Sequence, residues 1–177
     1  MTEKTFDHDA ALALLERTPA VLDALLRDLP PGWRDADEGP GTWSPLLILA
    51  HLVHGEETDW VPRIERLLAH GTEVPFEPFD REACRTRAEG ESIPSLLDVF
   101  AARRAEGVRR VRERRLGAAD LARTGRHPAF GEVTLGQLVS TWAVHDLSHL
   151  RQIARVLARQ GADAVGPWRA YLPVLDE

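Results

Sequence analysis

The chain has little of what most catalytic or membrane signatures need. A single cysteine, Cys84, excludes an internal disulfide and any zinc cage built from thiolates, and it suits a reducing cytoplasm. The longest apolar run, residues 46–53, is interrupted by His51 and falls far short of the roughly 20 residues that a membrane span requires. The opening Met1-Thr2-Glu3-Lys4-Thr5-Phe6-Asp7 has no basic region followed by an apolar stretch, so no secretory signal is expected and the cytoplasm is the expected location. No G-x-S-x-G elbow and no glycine-rich phosphate loop occurs, and Cys84 stands in a charged stretch without an adjacent histidine. Strand signals are almost absent, as are internal repeats and sustained heptads.

An excess of positive charge is missing too. A formal charge of −6 argues against nucleic acid as a partner. Arg103, Arg104, Arg109, Arg110, Arg112, Arg114 and Arg115 crowd one segment, relieved by Glu106 and Glu113. Without interleaved aromatic residues to stack bases, these arginines read as a solvated helix face rather than a phosphate-binding patch.

What is present is ordinary for one globular domain: 177 residues, 44% apolar and 28% charged. Residues 7–29 carry Ala10, Leu14, Val21, Leu25 and Leu29 at helical spacing, with Thr18-Pro19 either a kink or the start of a second helical piece. Leu29-Pro30-Pro31-Gly32 closes that segment. Ser44-Pro45 then opens a second helix, read as continuous to about residue 68, apolar all round at first and amphipathic after Gly55. Residues 71–93 form a long crossover of the kind that covers a site, with a short helical turn near 80–87. A third helix is expected to begin around Ser95, with Ser95 and Asp98 as its capping pair, and to run to about Leu116. One further turn over 117–121 and a loop over 125–133 precede a fourth helix, which opens at the Thr134-Leu135-Gly136-Gln137 capping box and ends near Gln160, with Gly161 beyond it. Trp168, Tyr171 and Leu172 are expected to dock the tail on the bundle. The expectation is an all-α four-helix bundle in one domain, residues 1–177, with its long crossover between the second and third helices.

The fourth helix contains Trp142-Ala143-Val144-His145-Asp146-Leu147-Ser148-His149. His145 and His149 are four residues apart, one turn above the other, on the stripe that also carries Leu135, Leu138, Trp142 and Val156. Buried imidazoles need partners, because an unsatisfied buried polar group costs about 1–3 kcal/mol. A shared metal ion would satisfy both, and His51, inside the apolar run of the second helix, is the candidate third ligand. Three neutral imidazoles would leave a divalent ion its full charge and an open position, the mark of a catalytic site. The spacing also fits hydrogen-bonded core histidines, since the adjacent Glu of H-E-x-x-H is lacking. His54 is the rival third ligand; His127 is placed to approach a pocket mouth, and His8 and His70 read as solvated. Glu56, Glu57 and Asp59 are candidate general bases or simply a solvated face. Asp146 points about 100° away from His145, and Trp43 and Trp142 read as core or pocket wall.

Trp43-Ser44-Pro45 with Ile48-Leu49-Ala50-His51-Leu52, the H-P-x-F-G-x-V-T-L-G-Q-L segment over 127–138, and His145-Asp146-Leu147-Ser148-His149-Leu150-Arg151-Gln152-Ile153 resemble, in order and separation, the DinB-like (YfiT-like) metalloenzyme superfamily. That resemblance implies a four-helix bundle and a three-histidine metal site falling on His51, His145 and His149, with zinc or nickel as the ion. It implies a small-molecule substrate, a low-molecular-weight thiol cosubstrate in S-transfer or isomerisation, or else hydrolysis, and a homodimer. A non-catalytic metal- or ligand-binding sensor module on the same bundle is the alternative.

Overall fold

The computed structural model describes residues 7–176; residues 1–6, on which the expectation about a secretory signal rests, and residue 177 lie outside them. Helices α1 (His8–Leu15), α2 (Thr18–Leu26) and α3 (Pro31–Arg34) are followed by α4 (Pro45–Thr58), α5 (Trp60–His70) and α6 (Ala83–Ala88). Next come α7 (Ile93–Glu113), α8 (Ala118–Leu121), strands β1 (Thr124–His127) and β2 (Gly131–Thr134), and α9 (Leu135–Arg159). The bundle is built from α1–α2, α4–α5, α7 and α9. Among the described residues no helix is long and apolar enough to cross a membrane.

Proline sets two of the breaks. Pro19 has no N–H for the carbonyl of Leu15 and its ring crowds that carbonyl, so α1 stops and α2 restarts at Thr18. Pro62 acts in the same way on the carbonyl of Thr58. The second helix, expected to be continuous, therefore divides at Asp59 into α4 and α5. Caps set other ends: Asp7 accepts from the Ala10 amide at 2.9 Å, and Ser44 caps α4 with Pro45 at its first position. Thr134 and Gln137 make both bonds of the expected capping box. The third helix starts earlier than its sequence suggests, because Ser92, not Ser95, is the N-cap and accepts from the Ser95 amide at 3.2 Å.

The segment expected to be a loop at 125–133 is an antiparallel hairpin, pairing Thr124 with Thr134 and His127 with Gly131. Gly131 turns it at φ 74, where a side chain would be strained. The Phe76 amide donates to the Arg126 carbonyl at 2.9 Å, tying the crossover to the hairpin. Gly125 is needed there, since a Cβ would lie 2.9 Å from Phe76. Trp168 and Tyr171 do not dock: they are 70% and 83% exposed, and Leu175 seats the tail instead. A 3-10 turn over Gly166–Tyr171 directs both aromatic rings outward.

The core divides into two apolar clusters. One gathers Leu22, Leu49, Val53, Phe100 and Ile153; the other gathers Leu15, Trp60, Val108, Val139 and Trp142. Along each long helix a polar residue falls between them: Glu56 on α4–α5, Arg104 on α7, Asp146 on α9. These meet. Arg104 donates to both Asp146 oxygens, at 2.5 and 2.9 Å, to Glu56 Oε1 at 2.8 Å and to the Leu15 carbonyl at 3.0 Å. The Trp142 indole N–H donates to Glu56 Oε1 at 2.8 Å. Arg104 is 1% and Asp146 0% exposed, so Arg104 is not part of a solvated face. The other arginines of its segment mostly are: Arg109 pairs with Glu106 and Glu113, Arg112 with Glu16, and Arg110 and Arg114 with Glu65.

Removing the cation from this network strands two buried carboxylates. Arg104→Met is expected to lower unfolding free energy by about 3–5 kcal/mol in urea titrations, while the exposed Arg109→Met leaves the midpoint nearly unchanged. A loss for Arg104→Met no larger than that of Arg109→Met would show that the network does not hold the helices together.

Candidate metal centre

The three histidine side chains converge through their Nε2 atoms. His145 and His149, one turn apart on α9, have Nε2 atoms 3.1 Å apart, and α4 brings His51 Nε2 to 3.1 Å from that of His145. One ligand atom from each lies within 4.8 Å of the others, and the group contains no carboxylate. With zinc–nitrogen bonds of about 2.0–2.1 Å, tetrahedral neighbours stand roughly 3.3 Å apart. The donor set therefore fits a divalent ion.

The proton positions agree. Gln152 Oε1 accepts from His149 Nδ1 at 2.9 Å, which leaves the Nε2 lone pair of a neutral ring facing the cluster. His51 and His145 have no such partner for their buried Nδ1 atoms. Packing orients them instead. Trp43 lies 4.9 Å from His51, with the edge of Phe79 at 5.4 Å, and Trp60 meets His145 edge-on at 5.0 Å.

Burial keeps the rings neutral. It pushes His51 and His145 down to about 3, with His149 adding to both shifts and Arg81 contributing a smaller part. His149 is lowered as well, again by burial first, and the Gln152 hydrogen bond offsets part of the shift. Neutral imidazole is the form that binds metal, so protons compete weakly at this site.

His51 and His145 form part of the wall of a cavity of about 670 Å³, closed over by the crossover and the hairpin. Trp60, Phe76, Phe79, Phe130 and Leu138 make it mainly apolar, the usual character of a small-molecule site. Asp59 and Arg63 form an ion pair at 2.5 Å on its wall, and Arg63 also donates to the Glu77 carbonyl at 3.0 Å. His149 and Gln152 border a second, polar cavity of about 410 Å³ with Trp43, Glu38 and Arg155. Arg81 lines both cavities.

The remaining candidates separate clearly. His54 stays out of the cluster, its ring 5.0 Å from Phe79. His127 does line the cavity, stacked on Phe130 at 4.4 Å; its Nδ1 accepts from the Ala129 and Phe130 amides, leaving its proton on Nε2. His70 is exposed, but His8 is half-buried rather than solvated. Glu56 is no general base for this centre: it is buried against Arg104 and Trp142, and burial raises its pKa. Glu57 lies near Arg87 and Arg103. Asp146 serves Arg104, as its direction around the helix implies. Cys84 lies on α6 in the core and not in a charged loop, and burial raises its thiol pKa. Arg81, Phe76 and Phe79 carried no sequence signal, because only the path of the crossover brings them to the site.

The histidine shifts have a definite sign. On unfolding, His51 and His145 return toward 6.5 and take up protons, whereas the folded apoprotein keeps them neutral to about 3. The unfolded state binds more protons between these values, so stability falls as pH drops through that window. With chelator present, the urea midpoint is expected to fall from pH 7 to pH 5, and less steeply in a His51→Leu, His145→Leu variant. Equal slopes in the two proteins would refute the burial of neutral rings.

Residues 14–153 match the family model of the DinB superfamily. Two solved structures are similar. YfiT from Bacillus subtilis, described as a probable metal-dependent hydrolase with an unusual four-helix bundle topology, is 19% identical at a TM-score of 0.78, covering 90% of this chain and 91% of YfiT. TT2238, a four-helix bundle protein, is 27% identical at a TM-score of 0.52, covering 84% of this chain and 98% of that one. No curated protein matches the chain significantly. With its four-helix bundle, its three converging imidazoles and a family match over most of its length, this chain belongs to the DinB superfamily.

Proposed function

We propose that this chain is a metal-dependent enzyme acting on a small molecule held in the apolar cavity, as a thiol-dependent S-transferase or, with water in place of the thiol, a hydrolase. The convergence of three neutral imidazole nitrogens at the wall of that cavity carries this reading. The description of YfiT as a probable metal-dependent hydrolase supports it at the level of reaction class. A divalent ion, zinc or nickel, held by the three histidines would supply Lewis acidity, taking a thiol as its thiolate or bringing the pKa of water toward about 7.

The chain's own residues do the rest. His51, His145 and His149 are neutral ligands, so they leave the ion's charge undiminished. Gln152 holds the His149 proton at Nδ1. Trp43, Trp60 and Phe79 pack the rings and limit access of water. His127 keeps its proton at Nε2, a hydrogen-bond donor on the cavity wall.

Protein purified without an affinity tag is expected to carry about one equivalent of zinc or nickel by elemental analysis, and a His145→Ala, His149→Ala variant to lose it. Incubation with a thiol panel and monochlorobimane should give turnover that disappears on chelation. Metal content unchanged in the double variant would refute the centre. Stoichiometric binding without turnover of thiol or hydrolysable substrates would place the chain among ligand-binding modules instead.

A further inference from the structure

The charge around the centre says what kind of molecule the cavity takes. Neutral ligands leave a bound divalent ion uncompensated, and no carboxylate belongs to the group. Arg81 adds another positive charge at the same place. Its side chain borders the apolar cavity beside His51 and His145 and the polar cavity beside His149.

Nearby cations are occupied. Arg63 is held by Asp59 and the Glu77 carbonyl, Arg155 by Glu38, and Arg87 by Glu91. Among the described residues the Arg81 guanidinium has no ion-pair or hydrogen-bond partner. Its backbone is nonetheless pinned, because its carbonyl accepts from the buried Cys84 thiol at 3.2 Å and the preceding Asp80 carboxylate accepts from the Glu82 amide at 2.9 Å. Arg81 is exposed, so its guanidinium stands at the rim of the apolar cavity, where an anion placed between it and a dication is favoured by both charges.

We propose that Arg81 is the anion anchor of this centre, and that the substrate is a carboxylate with an apolar or aromatic body: Trp60, Phe76, Phe79 and Phe130 take the body, Arg81 the carboxylate. The assignment rests on the metal-dependent reading above. Arg81 is thus a specificity-determining residue contributed by the crossover.

The probes are 3-phenylpropanoate and its neutral isostere 3-phenylpropanamide, titrated into the zinc-loaded full chain by calorimetry. Wild-type protein is expected to bind the carboxylate at least about tenfold more tightly than the amide. Arg81→Gln, at an unchanged zinc content, should weaken carboxylate binding about tenfold and amide binding by less than about twofold. Arg81→Lys is expected to retain part of the preference, and Arg85→Gln, on the short helix α6 that follows Arg81, all of it. Equal or absent binding of the two probes, or a preference unchanged in Arg81→Gln, overturns the Arg81 assignment while the metal centre stands. A wild-type chain that takes up neither zinc nor nickel overturns the metal reading and this proposal with it.

Discussion

The bundle depends on one buried cation. Arg104 lies between two apolar clusters and joins Glu56 of α4, Asp146 of α9 and the end of α1 in a single network. Apolar packing alone tolerates sliding of one helix along another, because many registers bury similar area. A guanidinium with fixed donor directions does not, since any other register leaves charges buried and unpaired. Glu56 is five residues after His51 on α4, and Asp146 is adjacent to His145 on α9. The network that sets helix register therefore also sets how far apart the two histidine-bearing segments stand.

The three imidazoles meet through their Nε2 atoms, and two of them have buried Nδ1 atoms without a partner. Aromatic rings from Trp43, Trp60 and Phe79 hold them in place, and burial keeps them unprotonated. Tight metal binding needs those same conditions: neutral donors, fixed directions and little competing water. The helices supply the three histidines and part of the cavity wall, and the crossover and hairpin close the cavity over them.

The helical plan was legible in the sequence, and for local reasons. Period, proline and cap residues act within a few positions of themselves, so Ser44-Pro45 and Thr134-Leu135-Gly136-Gln137 announce their helices without help from the rest of the chain. The i, i+4 pair His145 and His149 likewise follows from helix geometry alone, and the apolar run around His51 already implied its burial. The hairpin was illegible because two four-residue strands with Gly125, Pro128 and Gly131 have no signal apart from each other; pairing and the contact with Phe76 create them.

By itself, then, the sequence determined four helical segments, the capped starts at Ser44 and Thr134 and the identity of three histidines able to share an ion, because helix periodicity and capping are short-range. Only the tertiary structure decided that those histidines meet, that Arg104 is a core residue, that Glu56 is spent on it, and that Arg81 reaches both cavities. Each of these is a contact between residues distant in the chain. Its energy comes from what surrounds a charge or ring after folding, which spacing along a sequence does not encode.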